Sequence, residues 1–281
     1  MYCPIELDDL LYLTLQEDVG IGDRTTDFIV PKDARCKVEL LAKADGVLSG
    51  INVFRRLFEL QGAEIQNWQD LPDGSKIKKG DVVVSFEGNA RAVLSTERVA
   101  LNFLKHLSGV ATLTSKYVEK VKDLPVRICH TRKTMPLLRA LEIEAVVHGG
   151  GHRHRFNLSD GILIKENHIE LVGGNIATAI KLVRERVSHL ERIEVEVNTL
   201  EQFKQALKAG ADAILLDNMS IDDIRTAVKK AKRHPVLLEA SGNITLERVR
   251  AVAETGVDII SVGAITHSAN VVDLSILVSR I

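Results

Sequence analysis

The chain has 281 residues, a formal net charge of -1 at pH 7, 45% hydrophobic residues and only 4% aromatic ones. That length accommodates one barrel and a smaller domain around a mostly aliphatic core, while balanced charge and scarce aromatics exclude a broad nucleic-acid surface. No apolar run approaches the ~20 residues of a membrane span. Cys3, Cys36 and Cys129 are odd in number and form no CxxC pair, so a reducing compartment is expected rather than a disulfide framework. The segment MYCPIELDDLLYLTLQEDVG lacks the basic start and apolar core of a signal peptide, and the expected location is the cytoplasm.

Taken in order, Ile5, Leu7, Leu10, Leu11, Leu13 and Leu15 predict a helix ending at the turn EDVGIGD, residues 17–23. RCKVELLAKADGVLSG (35–50) predicts a hairpin about Asp45-Gly46. INVFRRLFEL predicts a short amphipathic helix, and LPDGSKIKKGDVVVSFEG predicts turns and a further strand. These elements lack a βαβ rhythm, so residues 1–110 are expected to form an α+β layer. A long helix is predicted from Ser95-Thr96-Glu97, with a hydroxyl at the cap and an acid in the first turn. Arg98 then falls where a cation is unfavourable: it is either a solvated surface residue or one with an anionic partner elsewhere.

From residue 126 the rhythm changes. Apolar runs at 126–129, 145–147, 161–164, 193–197, 213–216, 236–239 and 259–262 alternate with helical patterns such as TLEQFKQALKAG and TLERVRAVAETG, each closed by glycine. This is the signature of a parallel sheet with helices outside. Seven strands predict an incomplete, TIM-like α/β barrel over residues 111–267. A last helix near 270–280 is expected to return to the first domain, so that residues 268–281 complete it.

The strand ends carry the chemistry. They read His130-Thr131-Arg132-Lys133, His148 and the glycines, Lys165-Glu166-Asn167-His168, Glu196, Asp217-Asn218, Glu239-Ala240-Ser241-Gly242-Asn243, and Gly263 followed by His267. An α/β barrel keeps its active site at these ends. The cations concentrate between His130 and His168, where His152, Arg153, His154 and Arg155 also lie, and predict a pocket for a strongly anionic ligand. Ser241-Gly242-Asn243 and Val262-Gly263-Ala264 each lead towards a helix start, where backbone amides suit phosphate. Glu196 and Asp217 are acids on this cationic rim; they either hold Mg²⁺ through water, accept ribose hydroxyls, or neutralise nearby cations. A zinc site from Cys129, His148, His152 and His154 is disfavoured, because Arg153 and Arg155 alternate with the histidines.

The motifs EDVGIGDRTT, ERVALNFLKHLSGVAT, TRKTMPLLRALE, GGGHRHRFNLSDGILIKENHI, EVEV, LLDNM, EASGNI and SVGAITHS, in this order between about residues 17 and 268, resemble the nicotinate-nucleotide pyrophosphorylase (carboxylating) family, also called quinolinate phosphoribosyltransferase. The resemblance implies an α/β sandwich followed by an open seven-stranded barrel, in a homodimer whose sites include the neighbour's residues. It implies a glycosyltransferase of NAD biosynthesis that joins quinolinate to phosphoribosyl pyrophosphate with Mg²⁺ and yields nicotinate mononucleotide, CO₂ and pyrophosphate. By resemblance, Thr131, Arg132, Lys133, His154, Arg155 and Lys165 would hold the quinolinate carboxylates and neighbouring phosphates. Arg98 would reach in from the partner subunit. Glu196 and Asp217 would contact the ribose and Mg²⁺, acting with Lys133 and Lys165 as the catalytic group. Ser241, Gly242, Asn243, Val262, Gly263, Ala264 and His267 would hold the 5′-phosphate.

The chain departs from the family pattern twice. His130 replaces an Asp before Thr-Arg-Lys, and Leu137 replaces a Gly after TRKTxP, so a shift in turn geometry is expected. Three alternatives remain: a molybdenum-transport-associated paralogue, from which Lys165 distinguishes this chain; a non-decarboxylating nicotinate phosphoribosyltransferase; and a non-catalytic phosphometabolite-binding module.

Overall fold

Residues 6–281 are described by a computed structural model, and they form two units; Ile5 and Cys3 lie outside the described residues. The first unit comprises the described residues up to Ser115 with Met135–Gly150 and Ala269–Ile281, and the second comprises Lys116–Thr134 with Gly151–Ser268. Residues 135–150, expected in the barrel, therefore cluster with the first unit.

In the first unit, helices α1 (Leu7–Val19), α2 (Arg24–Ile29) and α3 (Ile51–Leu60) accompany strands β1 (Arg35–Ala42), β2 (Gly46–Val47), β3 (Gln66–Asp70), β4 (Lys76–Ile77) and β5 (Val82–Asn89). The main antiparallel sheet runs in the order C-terminal strand Leu274–Arg280, β1, β5, β3. Along β1, Cys36, Val38, Leu40 and Ala42 are buried in alternation, as expected of a strand with one covered face. The few aromatics gather on that face: Phe54 and Phe58 of α3 meet at 5.0 Å, Phe58 meets Phe86 at 5.1 Å, and Trp68 meets Phe86 at 5.2 Å. Such contacts add to simple burial.

Three local expectations are corrected here. There is no hairpin at Asp45-Gly46: β1 pairs with β5 and the C-terminal strand, while β2 pairs with β4. Asp45 Oδ1 accepts the Lys79 N–H at 2.9 Å, bonding to a distant loop instead of closing a turn. Residues 274–280 form a strand, not a helix, and their full register against β1 joins them to the first unit. The long helix α4 (Ala90–Val121) begins before Ser95, with Asn89 Oδ1 accepting the Ala92 N–H at 3.1 Å. Thr96 is buried within it and donates its hydroxyl to the Ala92 carbonyl at 2.7 Å, the back-bonding open to a mid-helix threonine. Arg98 is thus well inside the helix and exposed, so the dipole argument for an unusual placement does not apply.

The apolar run 145–147 is helical as well, inside α5 (Arg139–His148), where Glu142, Ile143, Ala145 and Val146 are buried. Ahead of it, Leu137 has φ 67° and a side chain 61% exposed. Leu137, where the resemblance implied a glycine, therefore lies in the left-handed region, a conformation that costs an L-residue roughly 1–2 kcal/mol. Leu137→Gly is expected to raise the unfolding free energy by about 0.5 kcal/mol after the entropy of a freer unfolded chain is subtracted. Urea denaturation would show it, and a lower midpoint would contradict it.

The second unit is a repeating βα array. Strands β6 (Arg127–Cys129), β7 (Ile162–Ile164), β8 (Ile193–Val197), β9 (Ala213–Asp217), β10 (Leu237–Ser241) and β11 (Ile259–Ser261) form one parallel sheet in the order β6-β11-β10-β9-β8-β7. The sheet ends at β6 and β7 and is open. Among the described residues six strands form its ladder rather than seven; where a further strand was expected, a single parallel bridge joins Cys129 and His152. The helices between them, α6 (Glu166–Leu171), α7 (Ile176–Arg184), α8 (Leu200–Lys208), α9 (Ile221–Ala231), α10 (Val249–Ala253) and α11 (Ala264–His267), follow the strands in turn. Asn175, Thr199 and Ser220 cap α7, α8 and α9 through their side-chain oxygens, each satisfying an amide that a helix start leaves unpaired.

Candidate active site

A cavity of about 460 Å³ opens at the carboxyl ends of the second unit's strands. Thr131, Arg132 and Lys133 reach it from the end of β6, His154 and Arg155 from the irregular segment after the Cys129–His152 bridge, and Lys165 from the end of β7. Glu196 of β8, Asp217 at the end of β9, and Ser241, Gly242 and Asn243 at the end of β10 complete the predicted set. Val262 is buried, and Gly263, Ala264 and His267 stand just beyond this lining. They are close to it: a Cβ on Gly263 would lie 3.2 Å from both Lys133 Cδ and His267 Nε2. Arg98 belongs to the first unit, beside Lys43, Lys79, Lys105 and Asp273.

Charge and pairing inside the cavity follow a definite scheme. Arg132 presents a buried Nε with no hydrogen-bond partner, a donor whose desolvation only an incoming acceptor would offset. Burial and the neighbouring Arg132 lower the Arg155 guanidinium from its ordinary value; two cations this close are suited to a multiply charged anion. Lys165 is ion-paired to Glu196 Oε2, and its backbone N–H donates to His168 Nδ1 at 2.9 Å. Asp217 Oδ2 accepts from the Asn218 amide at 2.8 Å.

Beneath the cavity lies a buried polar floor that strand ends read one by one did not reveal. His130 is fully buried. Its Nε2 lies 3.0 Å from the backbone N of His154, which can only donate, so Nδ1 carries the proton and faces the Thr131 carbonyl at 3.0 Å. The imidazole thus bonds to the backbone of two cavity-lining residues, Thr131 and His154. His154 Nδ1 accepts the Arg155 N–H at 2.7 Å, which puts its proton on Nε2, 3.3 Å from Glu239 and 3.7 Å from Glu194. Burial disfavours the charged imidazole, but the Glu239 hydrogen bond and the charges of Glu239 and Glu194 outweigh it and raise its pKa. Glu239 also accepts the Ser261 hydroxyl at 2.5 Å. Glu194 is pushed up from the ordinary carboxyl range, first by burial and then by the Glu239 charge, an environment that disfavours a second anion there. His154, Glu194 and Glu239 have ligating atoms within 4.8 Å of one another. Cys129, its thiol pushed up to about 12 by burial and Glu239, is inert. A separate apolar cavity of about 290 Å³ beside β7, lined by residues such as Leu158, Ile162 and Val172, lacks such convergence of polar groups.

Glu239, Ser261 and Asn218 are the lining residues that prediction left without a role. The signal for Glu239 was an acid inside an apolar strand, VLLEA, where a charge is rarely tolerated unpaired.

The chain was compared with known proteins. Two family models match it, Quinolinate phosphoribosyl transferase, N-terminal domain, over residues 23–108 and Quinolinate phosphoribosyl transferase, C-terminal domain, over residues 110–277. It is 42% identical over 271 residues to a protein of Bacillus subtilis named probable nicotinate-nucleotide pyrophosphorylase (carboxylating), covering 96% of this chain and 93% of that one. A Methanocaldococcus jannaschii protein of the same name is 40% identical over 280 residues, covering 96% of each. The crystal structure of NadC from Streptococcus pyogenes superposes with a TM-score of 0.93 at 40% identity, covering 100% of this chain and 99% of that one. With both family domains matched in order and the cationic cavity at the carboxyl edge of the barrel sheet, the chain belongs to the quinolinate phosphoribosyl transferase family.

Proposed function

We propose that this chain is a nicotinate-nucleotide pyrophosphorylase (carboxylating), transferring the phosphoribosyl group of phosphoribosyl pyrophosphate to the nitrogen of quinolinate and releasing pyrophosphate and CO₂. The observation that carries the reading is the convergence of Arg132, Lys133, Arg155 and Lys165 on one cavity, with the Arg132 Nε buried and unpartnered. Quinolinate is a dianion and its co-substrate carries more negative charge still, so cations must offset their repulsion while the ring nitrogen is aligned with the ribose C1. Arg132, Arg155 and Lys165, with Thr131 and His154 beside them, suit the two carboxylates, and Arg offers the planar fork that matches such a group. Ser241, Gly242, Asn243, Val262, Gly263, Ala264 and His267 suit the 5′-phosphate through backbone amides.

Glu196 and Asp217 offer hard carboxylate oxygens on the same cavity, a donor set that fits Mg²⁺ when phosphates and water supply the remaining ligands. When bound, that ion neutralises the pyrophosphate charge. The C1–pyrophosphate bond breaks as the N–C1 bond forms. The ring becomes a pyridinium, its positive nitrogen stabilises the carbanion left when the adjacent carboxylate departs as CO₂, and that carbon takes a proton from water to give nicotinate mononucleotide. Lys133 and Lys165 hold developing negative charge, so no strong base is required. Arg98, exposed on the first unit among Lys43, Lys79 and Lys105, suits a role across a homodimer interface. Among the described residues no helix is long and apolar enough to cross a membrane, and we place the enzyme in the cytoplasm.

The test is one assay with Mg²⁺, phosphoribosyl pyrophosphate and carboxyl-labelled quinolinate. Equal amounts of nicotinate mononucleotide and CO₂ are expected. Nucleotide from nicotinate with no CO₂ from quinolinate would favour a non-decarboxylating transferase, and binding of quinolinate without either product would leave a binding protein.

A further inference from the structure

The loops after β9 and β10 both bend through the left-handed region, at Asn218 (φ 54°), Gly242 (φ 90°) and Asn243 (φ 49°). Such conformations persist only where their surroundings over-determine them. Three hydrogen bonds join the two loops to each other and to Asp217: the Asn218 N–H donates to the Ser241 carbonyl at 2.9 Å, the Asn243 amide to Asn218 Oδ1 at 2.9 Å, and the Asn218 amide to Asp217 Oδ2 at 2.8 Å. The fit leaves no room for a side chain at Gly242, where a Cβ would lie 2.3 Å from Asn218 Oδ1.

One residue outside the cavity clamps both loops. The half-buried Arg248, next to the start of α10, donates from Nη1 to the carbonyls of Gly242 at 3.2 Å and Asn243 at 3.3 Å, and from Nη2 to the carbonyl of Met219 at 2.9 Å. In a trans peptide the C=O of one residue and the N–H of the next point in opposite directions. Carbonyls drawn to the guanidinium therefore turn the N–H groups of Asn243 and Ile244 away from it, and successive amides of a turn held in this way can form an anion-binding concavity.

We propose that Arg248 is a positioning residue for the phosphoribosyl donor, aiming the backbone amides of the Gly242–Asn243 loop and, through Asn243 and Asn218, the Asp217 carboxylate. The inference rests on the assignment of this loop to the 5′-phosphate. Arg248 adds a fixed positive charge behind the amides without touching the ligand, and its planar fork places two nitrogens against three carbonyls on two loops.

The experiment compares steady-state kinetics of Arg248→Met, Arg248→Lys and Ser241→Ala with wild type, varying each substrate and recording thermal melts. Arg248→Met is expected to raise KM for phosphoribosyl pyrophosphate about tenfold, as small misplacements at a bound group do, with KM for quinolinate unchanged and kcat nearly so. Arg248→Lys restores part of the loss. Ser241→Ala raises the same KM. If Ser241→Ala does so and Arg248→Met does not, the clamp is overturned and the loop assignment stands; if neither does, the loop assignment itself is overturned. A parallel rise in both KM values with a lowered melting temperature in Arg248→Met would show a structural role only and overturn the proposal.

Discussion

Alanine at Lys165 lowers kcat/KM for quinolinate phosphoribosylation by at least ~10²-fold, the scale of losing one preorganised donor from a partly desolvated site. The Lys165 amine is paired to Glu196. Removing it deletes a positive charge and leaves Glu196 uncompensated where an anionic substrate must enter. Stability should hardly change: a side chain 43% exposed in a rim ion pair contributes at most about 1 kcal/mol. Arg132→Ala is expected to cost at least ~10²-fold as well, but with a melting temperature no lower than wild type, since the buried Nε without a partner is a cost to the free protein. Steady-state kinetics beside thermal melts would check both. Activity within a few-fold of wild type for either variant would refute its assigned role.

Glu142→Ala is expected to produce the largest loss of stability, about 3 kcal/mol, the cost of taking a fully buried carboxyl from two hydrogen-bond partners and leaving a void. Glu142 is fully buried; Oε1 receives His106 Nε2 at 2.7 Å, and Oε2 accepts the Met135 backbone N–H at 3.1 Å. Both partners would be left unsatisfied, and a void would open on the helix face that also buries Ile143, Ala145 and Val146. Glu142→Gln keeps the volume and one acceptor and should cost roughly half as much. Urea unfolding gives the comparison, and an unchanged midpoint in Glu142→Ala would sink the argument. The same carboxylate pins Met135, two residues before the strained Leu137, so that turn should become more mobile in the variant; amide hydrogen exchange would report it.

Much of this could be read from the linear chain wherever the physics is local. β9 lies where an apolar run ends in an acid, β8 carries Glu196 one residue before its end, and Arg132, Lys133 and Lys165 lie just past β6 and β7, because an apolar run and the polar residue that follows it are contiguous. The misreadings share one cause. Residues 145–147 are apolar enough for either a strand or a helix, and periodicity over three residues cannot separate the two; burial against the first unit's own residues made them helical. Ser95-Thr96-Glu97 has the chemistry of a cap, yet Asn89 supplies it. Residues 274–280 became a strand because β1 offered a free edge over seven paired residues.

The amino-acid order by itself determined the two-part architecture, the parallel array with its polar strand ends, the anionic character of the ligand and the family. Each is written in short-range pattern and composition. Tertiary structure alone decided which strand edges meet, that Leu137 holds a glycine's conformation, and that His130 turns its two nitrogens to the backbone around Thr131 and His154. It also decided that burial and Glu239 raise the Glu194 carboxyl while Glu196 is an ion-pair partner, although they lie two residues apart on one strand. The difference is physical: the affinity of a carboxyl for its proton depends on the dielectric and the charges around it, and those are supplied by Glu239, His154 and Lys165 from three other parts of the chain.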